Sequence, residues 1–314
     1  MRKLLYIVLS FLLLASCAGQ RRHNTALRRA HAILNYAPDS ALTLLDSMET
    51  FSSEFSRGTL MRWQLLHLSA QNKCDTVFRS DSLQLVLVKY FDRQGTPNER
   101  MMAHYLLGRA YSDMSQPLYA IRAFLDASAA VDTLSADCDW WNLTRVYMQL
   151  AQEYYDTYLP RELLSALEKA HNSSLRAGDT VTSIMSIGSK YDAYELLGMK
   201  DSASLVVRQA AMMYEAIGRH DLSSQVLSLL ITPESEAGHV DTAASIIHYY
   251  EGFSGYFDSD HRIRRGMESY YYAKGIYYLH SDAPDSAEWM FRTLLEENTD
   301  LNGRHAAYLG LSKK

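Results

Sequence analysis

The chain has 314 residues, of which 47% are hydrophobic and 21% are charged, and it holds 15 glycines and 6 prolines. This composition excludes a disordered, a collagen-like or a disulfide-scaffold protein. The 31 lysines and arginines stand against 36 aspartates and glutamates, and the net charge of −5 provides no basic field of the kind that binds nucleic acid. We therefore expect neither DNA nor RNA as a partner.

The first residues have the pattern of a secretory leader. Arg2 and Lys3 precede an apolar run from Leu4 to Leu14, and small residues follow the run. A positive start, a short apolar run and small residues are typical of a signal peptide. The run has roughly 11 residues, whereas a helix needs about 20 to cross a bilayer. Residues 1–16 are therefore predicted to be a cleaved leader and not a membrane helix.

The leader ends in Leu14-Ala15-Ser16-Cys17, which resembles the bacterial lipobox. In that motif the cysteine is lipidated and the leader is cut before it. The resemblance implies a lipid anchor on Cys17 and a linker over residues 17–23, and Ala18 favours the outer membrane. Such an anchor holds firmly because each buried methylene contributes ~0.8 kcal/mol. We expect an envelope protein anchored in the outer membrane and facing the periplasm, with an ordinary cleaved leader as the alternative.

The segment 101–134 carries a repeat signal. Six of its residues fall at the spacing of the tetratricopeptide repeat, a 34-residue pair of antiparallel helices: Leu107, Gly108, Tyr111, Ala120, Phe124 and Ala127. Small residues allow the two helices to cross closely, and large ones fill the space around the crossing. The segment therefore resembles the tetratricopeptide family, and residues 268–301 repeat the pattern with Gly275, Ala287 and Phe291.

The spacing of Ala120, Phe124 and Ala127 marks a second helix, and it recurs six more times. The other triplets are Ala41, Leu45, Met48; Leu83, Leu87, Tyr90; Leu163, Leu167, Ala170; Ala203, Val207, Ala210; Ala243, Ile247, Tyr250; and Ala287, Phe291, Leu294. Successive triplets lie 37 to 44 residues apart, so the connections must be longer than in the consensus repeat. The candidate first helices are Leu27–Tyr36, Leu60–Gln71, Met101–Asp113, Arg145–Thr157, Ile184–Leu197, Leu222–Ile231 and Ser269–Leu279.

One helical hairpin cannot cover its own apolar face, so several must stack. Residues 24–314 are therefore predicted to be all-α, a right-handed superhelix (α-solenoid) of about seven tetratricopeptide-like hairpins. Gly303–Leu311 repeats the first-helix pattern and is predicted to be a C-terminal capping helix.

Acidic residues recur just before the second helices. An aspartate there is predicted to cap the helix by accepting hydrogen bonds from the first backbone N–H groups, at Asp39, Asp81, Asp201, Asp241 and Asp285. Gly198 and Gly238 lie in the preceding turns, where a positive φ is expected.

Residues for catalysis or metal binding do not form recognisable motifs. The sequence has no His-Glu-x-x-His, no Gly-x-Ser-x-Gly, no phosphate-binding loop and no Cys-x-x-Cys, and its 11 histidines are scattered. We expect no metal, no cofactor and no enzymatic activity. Cys74 and Cys138 are predicted to lie on opposite edges of the fold, so we expect no disulfide between them.

The family resemblance also implies a binding surface. In such superhelices, fixed positions of each first helix line the concave face. The corresponding residues here are Met102, Tyr105, Arg109, Asp113, Arg145, Met148, Gln152, Tyr155, Asp192, Glu195, Tyr272 and Ile276. Tyrosine and arginine are frequent anchors of protein interfaces, and replacing Arg109 by alanine is expected to affect partner binding alone.

The leading interpretation is a non-catalytic, lipid-anchored scaffold that binds a protein or peptide in the cell envelope. Two alternatives stay open. One is the sensor module of a signalling system that lacks its effector half, and the other is a glycan-binding lipoprotein of a nutrient-uptake system.

Overall fold

The computed structural model describes residues 23–298 and 300–313. The predicted leader, the lipidation site Cys17 and all but the last residue of the predicted linker lie outside this part of the chain. Those predictions therefore remain predictions.

Helices account for the regular structure of the described residues, which confirms the all-α prediction. This part of the chain forms seventeen α-helices: α1 (23–33), α2 (Pro38–Glu49), α3 (Arg57–Lys73), α4 (Ser82–Gln94), α5 (Pro97–Asp113), α6 (Pro117–Ala130), α7 (Trp140–Asp156), α8 (Pro160–Ala177), α9 (Thr180–Gly188), α10 (Lys190–Leu196), α11 (Lys200–Ala216), α12 (His220–Leu227), α13 (Ile231–Glu236), α14 (Val240–Phe253), α15 (Ser269–His280), α16 (Pro284–Glu297) and α17 (Leu301–Ser312). Two 3₁₀ helices (Ser52–Glu54 and Ser228–Leu230) and one antiparallel bridge between Phe257 and Ile263 complete them. Over residues 23–298 and 300–313, no helix is both long enough and apolar enough to cross a membrane.

The helices form two compact units, the first ending at Leu159 and the second beginning at Pro160. In the first unit, α5 packs against α3, α4, α6 and α7. In the second, α15 packs against α13, α14, α16 and α17. A helix that contacts its own partner and both neighbouring hairpins is the arrangement of stacked repeats, so the predicted α-solenoid is confirmed within each unit.

Among the described residues, eight turns between helices share one backbone geometry. Each has a residue with positive φ, and the N–H of the next residue donates to the carbonyl five positions back, as Met199 does to Tyr194 (2.8 Å) and His239 to Glu234 (2.9 Å). The predicted positive φ is confirmed at Gly198 (+70°) and Gly238 (+80°). Gly178 and Gly218 adopt it in the turns before the first helices α9 and α12, and the other four turns place non-glycine residues there, namely Asp75, Ser115, Tyr158 and Asp282. The hydrogen-bonded turn, more than the glycine, is thus what repeats.

The prediction of aspartate caps on the second helices is wrong. The residue after the left-handed position is itself the N-cap, for example Met199 of α11, so Asp201 falls inside the first turn. Asp39, Asp241 and Asp285 are displaced in the same way, and Asp81 is an N-cap that accepts no side-chain hydrogen bond. A carboxylate in the first turn still interacts favourably with the helix dipole. Side-chain caps occur instead mainly on the first helices, at Ser56, Thr96, Asp139, Asp179 and Asp300.

Close helix crossings lie at the small residues. A Cβ atom on Gly108 would stand 2.5 Å from the ring of Phe124, and Phe291 fills the space beside both Gly275 and Gly310. Of the residues in the seven triplets, Leu83 and Tyr90 are half-buried and the others are buried. In these two hairpins, those of Gly108 and Gly275, the core is therefore an aromatic side chain held against a glycine.

Two predicted first helices are broken. The segment Ile184–Leu197 divides into α9 and α10 at Gly188-Ser189, and such glycine-serine pairs are frequent sites of kinks. The segment Leu222–Ile231 passes through a 3₁₀ turn at Ser228–Leu230. Pro233 follows three residues later and has no N–H to continue the helical ladder.

The extended connections that the repeat spacing predicts are present. Residues 254–268 form the longest one, between α14 and α15. The predicted capping helix is α17, and its Gly310 packs against Phe291 as a further first helix would.

Candidate ligand-binding face of the first unit

First helices of the first unit line an open cavity of about 830 Å³. Its volume is in the range of ligand pockets, ~300–1,000 Å³. Leu27, Leu34, Leu65 and Met102 supply buried apolar surface. The remaining lining residues are mostly polar and come from α1, α3, α5 and the start of α7: Asn24, Thr25, Arg28, His31, Arg62, Leu66, Ser69, Thr96, Asn98, Glu99, Asp139 and Asn142. We call this space the first-unit cavity.

The polar wall of the cavity is held in place by the cap of α5. Thr96 and Glu99 form a capping box, in which a Glu99 carboxylate oxygen accepts from the Thr96 N–H at 2.9 Å. The second oxygen accepts from Arg62 Nε at 2.6 Å, and this hydrogen bond raises the pKa of Arg62. Glu99 therefore joins α3 to α5, and its negative charge on the cavity wall is paired with the positive charge of Arg62.

A second cap shapes the opposite end of the cavity. Asp139 accepts from the backbone N–H of Asn142 at 3.0 Å and from its side-chain amide at 2.6 Å. Asn98 donates to the carbonyl of Asp137 at 2.6 Å and accepts from the N–H of Asp139 at 3.2 Å. These bonds join α5 to the start of α7, so this part of the cavity wall, which spans the first helices of four consecutive hairpins, is held in place by backbone and side-chain hydrogen bonds.

A cluster of cations lies next to the cavity. Arg145 donates to Asn72 Oδ1 at 3.2 Å and lies over the ring of Tyr105, 5.1 Å from its centroid. The Tyr105 hydroxyl donates to the same Asn72 oxygen at 3.2 Å. Burial and then the charge of Arg145 lower the pKa of Lys73 to about 8, against a weaker opposing effect of Asp139. We call Lys73, Arg145, Asn72 and Tyr105 the cation cluster.

Cavity and cluster are continuous along three helices. Lys73 lies four residues after Ser69 on α3, Tyr105 three residues after Met102 on α5, and Arg145 three residues after Asn142 on α7. Residues three or four apart lie on the same face of a helix. The cluster is therefore the next turn of the same surface.

The predicted surface residues of the first unit divide into three groups. Met102 lines the cavity, and Tyr105 and Arg145 belong to the cation cluster. Met148, Gln152 and Tyr155 lie further along α7, where Gln152 donates to Asp156 at 2.9 Å. Arg109 and Asp113 form the third group.

Arg109 and Asp113 connect neighbouring hairpins, which corrects their assignment as binding residues alone. Arg109 donates to Asp113 at 3.0 Å and to the side chain of Gln149 on α7. Asp113 also accepts from the N–H of Phe78, at 2.8 Å, in the connection before α4. Removing Arg109 would take away the hydrogen bond to Gln149 that joins α5 to α7 and the hydrogen bond to Asp113 Oδ1, so its replacement by alanine is expected to reduce stability as well.

The predicted residues of the second unit form two pairs. Asp192 and Glu195 lie on α10, where burial and then the charge of Glu195 raise the pKa of Asp192. Tyr272 packs on Phe291 with ring centroids 5.9 Å apart, and Ile276 is 1% exposed beside the same ring. Ile276 is a core residue and not a surface residue, because α15 turns this face toward α16.

Sequence reasoning missed most of the cavity wall. Arg28, Arg62, Asn98, Asn142 and Lys73 are single polar residues on separate helices, and nothing in their local sequence joins them. Glu99 could have been found, because the motif Thr-x-x-Glu over residues 96–99 is the signature of a capping box.

The described residues contain no group of three or more side chains placed to hold a metal ion. Cys74 and Cys138 are both thiols, and Cys74 donates to Asp39 Oδ1 at 3.4 Å.

Comparison with known proteins identifies the fold. Neither a protein-family model nor a curated protein matches the sequence. Among solved structures, the chain is similar to the apo form of the quorum sensor NprR from B. thuringiensis, with a TM-score of 0.65, 12% identity, and coverage of 92% of this chain and 80% of that one. It is also similar to BtubC (BKLC) from P. vanneervenii, with a TM-score of 0.53, 13% identity, and coverage of 73% and 87%. These are tetratricopeptide-like repeat proteins, so the chain has a fold of that class.

Proposed function

We propose that this protein is a non-catalytic, lipid-anchored scaffold of the cell envelope that binds a peptide or an extended protein segment in the first-unit cavity. The observation that carries the proposal is the cavity itself, about 830 Å³ in volume and lined by the first helices of consecutive hairpins. A mixed apolar and polar wall suits a peptide, because the apolar part takes side chains while the polar part pairs with backbone groups.

The rigidity of the cavity wall also supports binding. Glu99 and Asp139 are both engaged in caps and in links between helices. A surface ordered before the ligand arrives loses little conformational entropy on binding.

A sensory role is a second candidate. NprR, whose fold the chain resembles, is a quorum sensor, and the same cavity would serve a protein that reports a bound signal. Both candidates share the binding step, and the experiment below tests that step.

Photo-crosslinking from adjacent positions tests the proposal. Arg28 lines the cavity, whereas its neighbour Arg29 is exposed and does not. A photoreactive amino acid at position 28 is expected to crosslink a discrete protein or peptide in the native envelope, and the same residue at position 29 is expected not to. Equal crosslinking from both positions, or none from position 28, would contradict the proposal.

The lipid anchor is tested separately, by metabolic labelling with an alkyne fatty acid. Replacing Cys17 by serine is expected to abolish the label and release the protein from the membrane fraction. The matched control replaces Cys74 by serine and is expected to keep both. If the wild-type protein takes up no fatty acid, the proposed lipid anchor is wrong.

A further inference from the structure

The segment that follows the proposed lipidation site is basic, although the protein as a whole is acidic. Residues 18–38 contain four arginines and two histidines, and all 36 aspartates and glutamates of the chain come after Pro38. A surface that only keeps a protein soluble carries both signs of charge interspersed. One sign of charge concentrated in a short segment indicates an oppositely charged partner.

Helix α1 presents part of this charge to the outside of the first hairpin. On one side of α1 and the turn after it, Leu27, Ala30 and Leu34 are buried among side chains of α2 and α3. Arg29 and Ala32, three residues apart on the other side of the helix, are exposed. We call this side the outer face of α1.

The carboxylates of the same hairpin do not neutralise the outer face. Among the described residues, Arg29 forms no ion pair. The first carboxylate of α2, on Asp39, accepts from Cys74 Sγ at 3.4 Å. Further along α2, Asp46 Oδ1 lies 2.7 Å from His67 Nε2 of α3. Both carboxylates are therefore engaged by α3 and its C-cap, and the charge of Arg29 stays available.

An exposed tyrosine continues the outer face. Tyr36 lies in the turn after α1, seven residues beyond Arg29, and is 73% exposed. Tyrosine rings are enriched where a membrane meets water, because their apolar body and polar hydroxyl both find partners there. A guanidinium forms strong, charge-assisted hydrogen bonds to phosphate. The pair of side chains therefore suits a phospholipid headgroup layer.

The proposed anchor would keep the outer face close to such a layer. Six residues separate Cys17 from His23, the first residue of α1. A fully extended chain covers ~3.3–3.6 Å per residue, so α1 begins within roughly 20 Å of an anchored cysteine. A tether of this length gives the membrane a high effective concentration at the outer face.

We propose that the outer face of α1, around Arg29 and Tyr36, docks on anionic phospholipid headgroups of the membrane that holds the anchor. Arg21 and Arg22 add positive charge from the tether. The inference rests on the lipid anchor of the proposed function. Because an anchor with more than one acyl chain already retains the protein, the docked face limits how the protein rotates about its anchor.

Binding to vesicles tests the outer face without the anchor. The mature chain from residue 17 carries Cys17→Ser and is mixed with vesicles of phosphatidylcholine, either pure or with about 30% phosphatidylglycerol. We expect it to sediment with the anionic vesicles alone and to be released when NaCl rises from about 0.05 to about 0.5 M, because salt screens exposed charges. Equal binding to both kinds of vesicle, or binding to neither, would overturn the inference.

Matched double variants connect the binding to α1. Arg22→Gln combined with Arg29→Gln is expected to weaken binding to the anionic vesicles about 25-fold, roughly fivefold for each arginine. The control combines Arg79→Gln with Lys89→Gln, two exposed cations elsewhere in the first unit. It changes the net charge equally and is expected to bind as the parent does, and both double variants are expected to keep the circular dichroism of the parent. Equal losses in the two double variants would contradict a docking face on α1.

The orientation of the docked protein is a separate readout. An environment-sensitive fluorescent amino acid at position 36 is expected to shift its emission to the blue with anionic vesicles, because the headgroup layer excludes water. The same residue at position 134, where Leu134 is 96% exposed, is expected not to shift. No shift at position 36, or equal shifts at both positions, would overturn the proposed face.

Fatty-acid labelling reports on the anchor independently of the vesicles. A protein that is labelled but binds no anionic vesicles keeps the anchor and loses only the docking face. A protein that binds these vesicles through α1 but is never labelled supports the docking face and loses only the anchor.

Discussion

The pairing of glycine with phenylalanine is the smallest unit on which the repeat depends. Gly108 faces Phe124, and Gly275 faces Phe291 in the equivalent place four hairpins later. Phenylalanine fills the crossing only because the facing helix carries no Cβ. The pairing therefore accounts for the two segments whose sequence pattern is strongest.

Replacing Gly275 by alanine tests this contact. The added Cβ would lie 2.7 Å from Phe291 Cζ and closer still to a neighbouring ring carbon. Such overpacking is expected to lower the free energy of unfolding by about 1–3 kcal/mol. Gly252→Ala is the control in the same unit, because it meets nothing within 4 Å and lies on an exposed helix position. Alanine there is expected to stabilise the protein by about 0.5–1 kcal/mol. The midpoints of chemical denaturation of the two variants should therefore shift in opposite directions from that of the wild type.

Lys73 shows how one residue can weaken the fold. Its pKa is lowered to about 8 in the folded chain, so the unfolded chain holds the proton more tightly. Lys73→Met is expected to raise the free energy of unfolding at pH 7 by about 1 kcal/mol, discounted for the partial hydration of the ammonium group. Between pH 8 and 10 the wild type loses the charge only when folded, so its stability rises relative to the variant. Denaturation series at several pH values should show that the difference in free energy of unfolding between the variant and the wild type shrinks as the pH rises. A difference that stays constant would show that the lowered pKa of Lys73 is not its cause.

At the scale of the helix, caps decide where each element begins. Side-chain caps start several of the first helices, whereas the second helices α2, α11, α14 and α16 begin without one and carry their aspartates at the second position. The two kinds of aspartate look alike in sequence. They differ in their distance from the turn: Asp179 directly follows the left-handed Gly178 and is the N-cap, whereas Asp201 lies three residues after Gly198 and falls inside the helix.

Two aspartates of the second unit allow a test that distinguishes side-chain capping from interaction with the helix dipole. Asp179 caps α9 by accepting from the Thr182 N–H at 3.0 Å, and its replacement by alanine is expected to cost about 1–2 kcal/mol. Asp201 only interacts with the dipole of α11, so Asp201→Ala is expected to cost a few tenths of a kcal/mol. If thermal or chemical unfolding shows that both variants lose the same free energy of unfolding, Asp201 acts as the helix cap that the sequence pattern indicates.

Serine explains why the repeat is weak in sequence in the part of the second unit that precedes α14. Ser174, Ser186, Ser224 and Ser235 are fully buried at helix contacts. Each hydroxyl donates to a carbonyl three or four residues earlier on its own helix. A serine satisfied in this way occupies little more space than alanine. A search for glycine and alanine therefore overlooks these crossings.

For the molecule as a whole, ionisation of buried tyrosines determines the alkaline pH at which the folded state loses stability. Burial raises the pKa values of Tyr191, Tyr214 and Tyr250 to about 12, and all three lie in the second unit. The unfolded chain releases these protons near pH 10, so their contribution to stability is complete below pH 10 and is lost as the pH rises toward 12. Circular dichroism and tyrosinate absorbance are expected to change together in this range. Full ionisation of the tyrosines without loss of helix would contradict the prediction.

Local sequence was sufficient for the hairpin register. Small and large residues at fixed spacing determine where two adjacent helices cross, and these helices are neighbours in the chain. The breaks in two first helices were not predicted, because the effects of Gly188-Ser189 and Pro233 on hydrogen bonding compete with an otherwise helical pattern.

The cavity and the cation cluster were decided by the tertiary structure alone. Lys73, Tyr105 and Arg145 come from three different hairpins. The pKa of a lysine falls only when packing removes water and brings another charge close, and neither effect is encoded near Lys73 in the chain. The sequence by itself thus determined an all-helical stack of hairpins, whereas the stacking of those hairpins decided which polar groups meet.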